Sequence, residues 1–246
     1  MTARPDDARV VVLAPMPLEM RAIVTAFGLE PAGEASKGSW AGRVGRLTVT
    51  AVHVGMGPAS TRAATSRVLE ETGPGHQPVA HVMVAGICGG LSPDLPVGTL
   101  LNPDVVVDHG SGLSYRHNPP GDLPRAGKLV TTEGVSLDPE LCRRFLDDGC
   151  LGVDMESAAV AEVCEGRGCP WSVYRCIGDR PFDGLLDERI VAATRPDGSP
   201  DLAEIGRLLE ADPGLATKLE QLGRDAALAA RLAAEAAARA CLLLGA

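Results

Sequence analysis

Acidic residues and glycines follow the apolar segments of this chain at points where strands are expected to end. Four such segments cover residues 15–19, 55–58, 86–90 and 178–183, and a fifth, 154–156, stands between a predicted strand and a predicted helix. Ligands of open α/β sheets bind beyond the carboxyl ends of the strands, where such segments converge. Glu19, Glu156 and Asp179 are therefore candidates for proton transfer and for binding hydroxyl groups.

Each of these segments also has a purely structural interpretation. A glycine after a strand usually makes a turn, and an acid in the first turn of a helix is favoured by the helix dipole. Asp179 is the strongest candidate because it directly follows the buried-looking strand at 171–178, where desolvation would raise its pKa. The hypothesis therefore depends on the convergence of the three acids.

The elements that would position these acids alternate between apolar runs and helical patterns. Predicted strands cover residues 10–14, 47–54, 79–85, 99–107, 128–132 and 171–178, and predicted helices cover 17–27, 59–71, 138–147, 155–167 and 202–210, with a last long one that ends near residue 244. Segments 108–127 and 181–200 are predicted to be irregular. Since most strands are uniformly apolar, we expect an α/β sheet with helices on both faces.

Length and composition limit the organisation and class of the protein. A chain of 246 residues fits a single domain over 1–246, with a C-terminal helical extension at about 201–246. The Ala-rich helix of this extension is expected to pack on the domain or on a partner subunit, and a membrane surface is the alternative. A net charge of −9 without a basic cluster argues against nucleic acid as a partner.

The cysteines and the apolar segments indicate a cytoplasmic protein without a metal. The seven cysteines form no C-x-x-C pair and no zinc-binding spacing, and an odd number without a disulfide framework fits a reducing compartment. No segment approaches the ~20 apolar residues of a membrane span, and the first residues lack the apolar core of a signal peptide. We expect no metal and no other cofactor.

Five segments resemble the nucleoside phosphorylase and nucleosidase superfamily, especially the methylthioadenosine/S-adenosylhomocysteine nucleosidases. They read VVVLAPMPLEM, VHVGMGPASTRAA, VAGICGGLSPDLPVGTLL, GVDMESAAVAEVC and VYRCIGDRPFD, and they cover most of residues 9–183. The tail from Ile190 resembles the nucleosidases of hopanoid biosynthesis, which remove adenine from adenosylhopane. The resemblance implies a three-layer α/β/α, phosphorylase/hydrolase-like fold with a mixed central sheet. It also implies a homodimer or a larger homo-oligomer.

The resemblance also implies a role for each candidate. Asp179 matches the acid that protonates the leaving purine, and Arg175 matches a residue that supports this acid, although a salt bridge within the fold is an equal interpretation. Glu19 matches the base that activates water, and Glu156 matches the acceptor of the ribose hydroxyls. Further substrate-binding positions implied by the resemblance are Met155, Met56, Gly86, Ile87, Cys88, Gly89, Val135 and Asp154.

Hydrolysis is favoured over phosphorolysis at the sequence level. Val84 and Ile87 stand where the phosphorylases hold phosphate with an arginine and a hydroxyl group, and a dianion beside them would lack compensating charge. Arg21 or Arg62 could compensate in principle. The expected function is hydrolysis of a 5′-substituted adenosine to release adenine. The alternatives are a phosphate-dependent purine nucleoside phosphorylase and a nucleoside-binding protein without catalysis.

The chain also departs from the pattern of these nucleosidases. Gly178 replaces the usual serine before the acid, and the segments between 108 and 128 and around 132–136 are shorter. A shorter rim is expected to open the 5′ side of the site to a bulky group.

Overall fold

One long strand, β5 (Val79–Gly90), is the centre of the sheet. The computed structural model describes residues 8–33, 38–71, 77–121 and 124–245. In it β5 pairs in parallel with β1 (Arg9–Ala14) on one side and with β11 (Trp171–Asp179) on the other. Its last two residues pair antiparallel with β10 (Cys150–Asp154). The sheet is therefore mixed, as predicted.

The remaining strands extend the sheet in both directions from β5. They are β2 (Glu30–Pro31), β3 (Ser39–Val44), β4 (Leu47–His53), β6 (Leu100–Leu101), β7 (Val105–Asp108), β8 (Ser114–Tyr115) and β9 (Lys128–Thr131). The strand order is β2-β3-β4-β1-β5-β10-β9-β7-β8, and β11 pairs with β5 and β6. Because β1, β4, β5 and β11 are mutually parallel, their carboxyl ends meet at one edge of the sheet.

Helices cover both faces of this sheet. Val10 and Val12 of β1 pack in one core with α1 (Pro17–Phe27) and α7 (Leu215–Leu244). Val11 and Leu13 point to the other face, where they pack with α2 (Pro58–Glu70) and α4 (Ser157–Gly166). The shorter helices are α3 (Pro139–Asp147), α5 (Glu188–Ala192) and α6 (Leu202–Ala211). The predicted three-layer α/β/α architecture is confirmed.

The long Ala-rich helix α7 packs on its own domain. Its buried stripe consists almost entirely of alanines, among them Ala229, Ala233 and Ala237, and it lies against α1, β5 and β11. Small side chains let the helix approach the sheet closely, which explains a buried face without large apolar residues. None of the helices in the described part of the chain is both long and apolar enough to cross a membrane.

Several predicted boundaries are wrong, each for a local reason. The glycines at 86–90 continue β5 as a strand and do not form a turn. The strand predicted at 99–107 is divided into β6 and β7 around Pro103, because proline has no N–H to donate to the sheet. Segment 108–127 contains β8, and segment 181–200 contains a 3₁₀ turn (Pro181–Asp183) and α5. Strands β2 and β3 were not predicted.

Candidate active site

The three candidate acids line one cavity at the carboxyl ends of the strands. The cavity encloses about 740 Å³ including its open mouth, and Glu19, Glu156 and Asp179 all contribute to its wall. Loops that follow β1, β4, β9, β10 and β11 supply most of the other lining residues. The convergence on which the hypothesis depends is therefore present.

Glu19 lies in the first turn of α1 and is almost completely enclosed. Its Oε2 accepts a hydrogen bond from the backbone N–H of Met16 (2.8 Å), and its Oε1 accepts one from the N–H of Ile87 (2.7 Å). Burial raises the pKa of Glu19 to about 7, although the nearby charge of Arg175 lowers it. A carboxylate with a pKa near neutrality is suited to accept a proton.

Arg175 is the cation at the centre of the acids, and its side chain is fully buried. Its guanidinium donates to Asp154 Oδ2 and to Glu156 Oε2, each at 2.8 Å, and Nη1 lies 3.5 Å from Glu19 Oε1. Burial alone would lower the pKa of Arg175, but the three acids together raise it, so the cation keeps its charge.

The proposed support of Asp179 by Arg175 is not what the geometry shows. Within the described residues, no hydrogen bond or ion pair joins Arg175 to Asp179, and every carboxylate partner of Arg175 is one of the other three acids. Arg175 and Asp179 are four residues apart on β11, so their side chains leave the strand at well-separated points. Arg175 therefore forms a salt-bridge cluster within the fold, which was the second sequence-based interpretation.

Asp154 borders the cavity, but its carboxylate is engaged by the protein. Arg175 donates to Oδ2, Thr131 Oγ1 donates to Oδ1 at 2.6 Å, and the N–H of Ser157 donates to Oδ2 at 3.1 Å. The side chain is 1% exposed. The sequence-based expectation was direct substrate binding, whereas these contacts make Asp154 a residue that holds Arg175 in place.

Glu156 is held at the cavity wall by two strong hydrogen bonds. It is the N-cap residue of α4. Its Oε1 accepts from the backbone N–H of Gly57 (2.9 Å) and its Oε2 from Arg175 (2.8 Å). Burial raises the pKa of Glu156, while Arg175 lowers it. Each carboxylate oxygen has a second lone pair, so Glu156 can still accept hydrogen bonds from a ligand.

A β-bulge at the end of β11 sets the direction of the Asp179 side chain. The pairing of β11 with β5 shifts between Ile177 and Asp179, which leaves Gly178 as the extra residue of a bulge, and bulges re-aim the next side chain. In the described part of the chain, no hydrogen bond or ion pair engages the Asp179 carboxylate. Burial, and then the charge of Asp183, raises the pKa of Asp179 to about 6. The Asp179 carboxyl group therefore has no partner among the described residues, and its pKa lies close to neutral pH.

Ile87 explains why residue 178 is glycine in this chain. A β-carbon on residue 178 would stand 2.4 Å from Ile87 Cγ2 and 3.4 Å from Ala229 Cβ. The serine of the family pattern would therefore not fit beside Ile87 without rearrangement.

The other predicted binding residues fall into two groups. Met155, Met56, Ile87, Cys88, Gly89 and Val135 line the cavity with the acids. Gly86 is placed behind Glu19 and does not belong to the lining. Met16, Leu137, Pro181 and Leu186 also line the cavity and were not predicted, because apolar residues in loops carry no chemical signal in a sequence.

The part of the cavity wall formed by described residues contains no Lys, Arg or His. Arg62 pairs with Glu162 at 2.8 Å on the surface. Arg21 is exposed and lies on the face of α1 next to α7. Neither Arg21 nor Arg62 therefore lies where it could compensate the negative charge of a phosphate bound in the cavity.

Residues 9–126 match the sequence model of the Phosphorylase superfamily. A 5′-methylthioadenosine/S-adenosylhomocysteine nucleosidase of Marinomonas sp. (strain MWYL1) is 26% identical over 168 residues, which cover 56% of this chain and 71% of that protein. Among solved structures, the same kind of nucleosidase from Helicobacter pylori has a TM-score of 0.68 at 16% identity, covering 94% of this chain and 96% of that one. Futalosine hydrolase of Helicobacter pylori also has a TM-score of 0.68 at 16% identity, covering 94% and 95%.

The sequence match therefore covers the first half of the chain, and the likeness to solved structures covers the fold as a whole. The proteins that it resembles include nucleosidases, and the chain is an enzyme of the N-glycosidase class.

Proposed function

We propose that this enzyme hydrolyses the N-glycosidic bond of a 5′-substituted adenosine and releases adenine. The observation that supports the proposal is the convergence of Glu19, Glu156 and Asp179 on one cavity. Their environments differ enough to give each acid a separate task. Asp179 has no partner among the described residues, Glu19 accepts two backbone N–H groups, and Glu156 is held by the charge of Arg175.

Asp179 is the group that assists departure of the base. When the C1′–N9 bond breaks, its electron pair moves to the purine, and the charge is neutralised if N7 receives a proton. With a pKa of about 6, Asp179 is protonated in a fraction of the molecules near neutral pH. General acids placed in this way contribute roughly 10²–10⁴-fold to rate.

Glu156 and Glu19 act on the sugar side of the bond. Glu156 accepts hydrogen bonds from the ribose hydroxyls, and its negative charge stabilises the positive charge that develops on the sugar. Glu19 takes a proton from the water that attacks C1′. The products are free adenine and a ribose carrying a hydroxyl at C1′.

Water is favoured over phosphate as the nucleophile. The described wall of the cavity contains acids and apolar groups and no cation, so a phosphate dianion would be placed beside Glu19 without a partner. The cation closest to the acids, Arg175, is already engaged by three of them.

The identity of the 5′ substituent belongs to the proposal as well. The relatives act on methylthioadenosine, S-adenosylhomocysteine and futalosine, by their names, and the tail of the chain resembles enzymes of adenosylhopane. We further propose a homodimer or larger homo-oligomer and a cytoplasmic location, which fits seven free cysteines.

A substrate panel with and without phosphate tests this function. Methylthioadenosine, S-adenosylhomocysteine, adenosine, inosine and a 5′-alkyl adenosine are incubated with the full chain, and free adenine or hypoxanthine is measured. We expect release of adenine together with free sugar, at a rate independent of phosphate. Formation of a sugar 1-phosphate would instead show a phosphorylase, and adenine binding without turnover would show a binding protein.

A further inference from the structure

Helix α4 ends in a Schellman motif that contains two cysteines. The N–H of Cys169 donates to the carbonyl of Cys164 (2.9 Å), and the N–H of Gly168 donates to the carbonyl of Glu165 (3.1 Å). These two hydrogen bonds define the motif, and Gly168 has the left-handed conformation that it requires, with a φ of +65°. Side chains at the positions of Cys164 and Cys169 frequently contact each other in such a motif.

The backbone holds these two cysteines, here named the thiol pair, within disulfide distance. The hydrogen bond of 2.9 Å between the Cys164 oxygen and the Cys169 nitrogen limits the distance between their α-carbons to about 6.8 Å, given standard bond lengths. Disulfides join α-carbons that are ~4.4–6.8 Å apart. A bond between the two sulfurs therefore requires no large movement of the backbone.

The two sulfurs also interact with each other. The thiol of Cys164 donates a hydrogen bond to the sulfur of Cys169, which lowers the pKa of Cys169 although burial works against it, and raises the pKa of Cys164. Cys169 is half-buried, whereas the other six cysteines are buried. Because the thiolate is the nucleophilic form, Cys169 combines the two properties of a reactive cysteine, access and a stabilised negative charge.

The thiol pair lies away from the cavity. Cys164 belongs to the core between the sheet and α4, and Cys169 packs against the same core. Glu156 caps the opposite end of α4, and a helix of 10 residues is ~15 Å long. Among the described residues that line the cavity, neither Cys164 nor Cys169 is present. The thiol pair therefore takes no part in the proposed hydrolysis.

We propose that Cys164 and Cys169 form a modification site, at which a hydroperoxide oxidises the two thiols to an intramolecular disulfide. The Cys169 thiolate attacks a peroxide oxygen, so that an S–O bond forms, the O–O bond breaks and the leaving oxygen takes up a proton as water. Cys164 then attacks the sulfur of this sulfenic acid, so that the S–S bond forms and the second oxygen leaves as water with the Cys164 proton. The two thiols lose two electrons, and hydrogen peroxide is reduced to two molecules of water.

The disulfide would join two elements that carry acids of the cavity. It ties the end of α4, which begins after Glu156, to the segment that enters β11, which ends at Asp179. The joined ends are those remote from the cavity, so we expect the rate of adenine release to be unchanged by oxidation. Because the closed ring is short, Tm should rise by only a few degrees, and a dithiol reductant should reverse the change.

Peptide mapping after mild oxidation tests this proposal. The reduced full chain is treated with hydrogen peroxide, the remaining thiols are alkylated in denaturant, and the protein is digested with trypsin. Cleavage after arginine places Cys164 in the peptide 145–167 and Cys169 in the peptide 168–175, so a disulfide is needed to hold the two peptides together. We expect the linked peptides, the loss of two of the seven alkylatable thiols, and the return of both thiols after treatment with dithiothreitol.

Three variants assign the bond to the thiol pair. Cys150 shares the first peptide with Cys164, so Cys150→Ala is the matched control and should still give the linked peptides. Cys169→Ser should abolish them. Cys164→Ala should leave Cys169 as a sulfenic acid that dimedone traps, because no second thiol displaces its oxygen. Should Cys164→Ala fail to fold, since Cys164 is fully buried, Cys169→Ser at the half-buried position still tests the bond.

Three results would overturn the inference. The first is that all seven thiols remain open to alkylation after peroxide treatment. The second is that the linked peptides persist in Cys164→Ala, which would assign the bond to Cys150. The third is a disulfide between two chains, seen as a dimer on a non-reducing gel. None of these results bears on the proposed function, since the release of adenine from a nucleoside is a separate measurement.

Discussion

The Glu19 carboxylate occupies the space in which a side chain on Gly86 would stand. A β-carbon on residue 86 would be 2.0 Å from Oε1 of Glu19 and 2.8 Å from Nη1 of Arg175. Because the strand has no side chain there, Glu19 reaches the backbone of β5 and accepts the N–H of Ile87 at 2.7 Å. Gly86 thus contributes to the site by leaving room for two other residues.

Gly86→Ala is therefore expected to displace Glu19 and to disable hydrolysis. A displacement of about 1 Å in a reacting group costs on the order of 100-fold in rate, so kcat should fall at least that far while circular dichroism shows a folded protein. Gly166→Ala is the control, since a β-carbon there meets nothing within 4 Å. Normal turnover in Gly86→Ala would show that Glu19 need not occupy its present position.

The sequence predicts the alternation of strands and helices, the sheet covered on both faces and the three acids at strand ends. These features depend on local apolar patterning, which a single sequence contains. The three carboxylate partners of Arg175 could not be predicted, because they depend on which groups of α1, β10 and α4 meet beneath the cavity. The continuation of β5 through residues 86–90 was also missed, since glycines next to a buried cluster resemble glycines in a turn.

Asp179→Asn is expected to abolish base release and to stabilise the fold at alkaline pH. The folded-state pKa of Asp179, about 6, lies above the usual 3.8. The folded protein therefore binds this proton more tightly than the unfolded chain, and its stability falls as pH rises from about 3.8 to about 6. Asparagine removes this penalty, so Tm at pH 8 should rise by a few degrees, with no difference near pH 3.5.

The matched control for this substitution is Asp147→Asn, which changes an exposed acid on α3. It should leave both turnover and the pH dependence of Tm unchanged. Near-normal turnover in Asp179→Asn would contradict the assignment of the leaving-group acid.

The pH profile of base release should be bell-shaped. Asp179 must be protonated and Glu19 ionised, and their pKa values are raised to about 6 and about 7. Since the acid has the lower pKa, only a minority of molecules hold both groups in the required state, and kcat/KM, which reports the groups of the free enzyme, should be highest between these two values. A flat profile from pH 5 to pH 8 would contradict this pairing.

Asp183→Asn tests which group sets the lower limb of that profile. Asp183 raises the pKa of Asp179 through its negative charge, so its removal should lower that pKa. The acidic limb of the profile should move to lower pH, and the maximal rate should fall because fewer molecules hold a protonated Asp179. An unchanged lower limb would show that another group titrates there.

Arg175→Met is expected to destabilise the protein strongly in a pH-dependent way. The substitution leaves Asp154, Glu156 and Glu19 buried without their cation, and breaking such a cluster costs about 3–5 kcal/mol. Arg62→Met is the control, because the Arg62–Glu162 pair is exposed and is worth about 0–1 kcal/mol.

The pH dependence separates charge from packing. Urea unfolding should show that Arg175→Met lowers the free energy of unfolding at pH 8, and lowers it less at pH 5, where the acids that have lost their cation can bind protons. The raised pKa values of Glu19 and Glu156 give this sign, since removing Arg175 takes away the charge that lowers them. An equal loss in the free energy of unfolding at both pH values would mean that Arg175 stabilises the fold by packing alone.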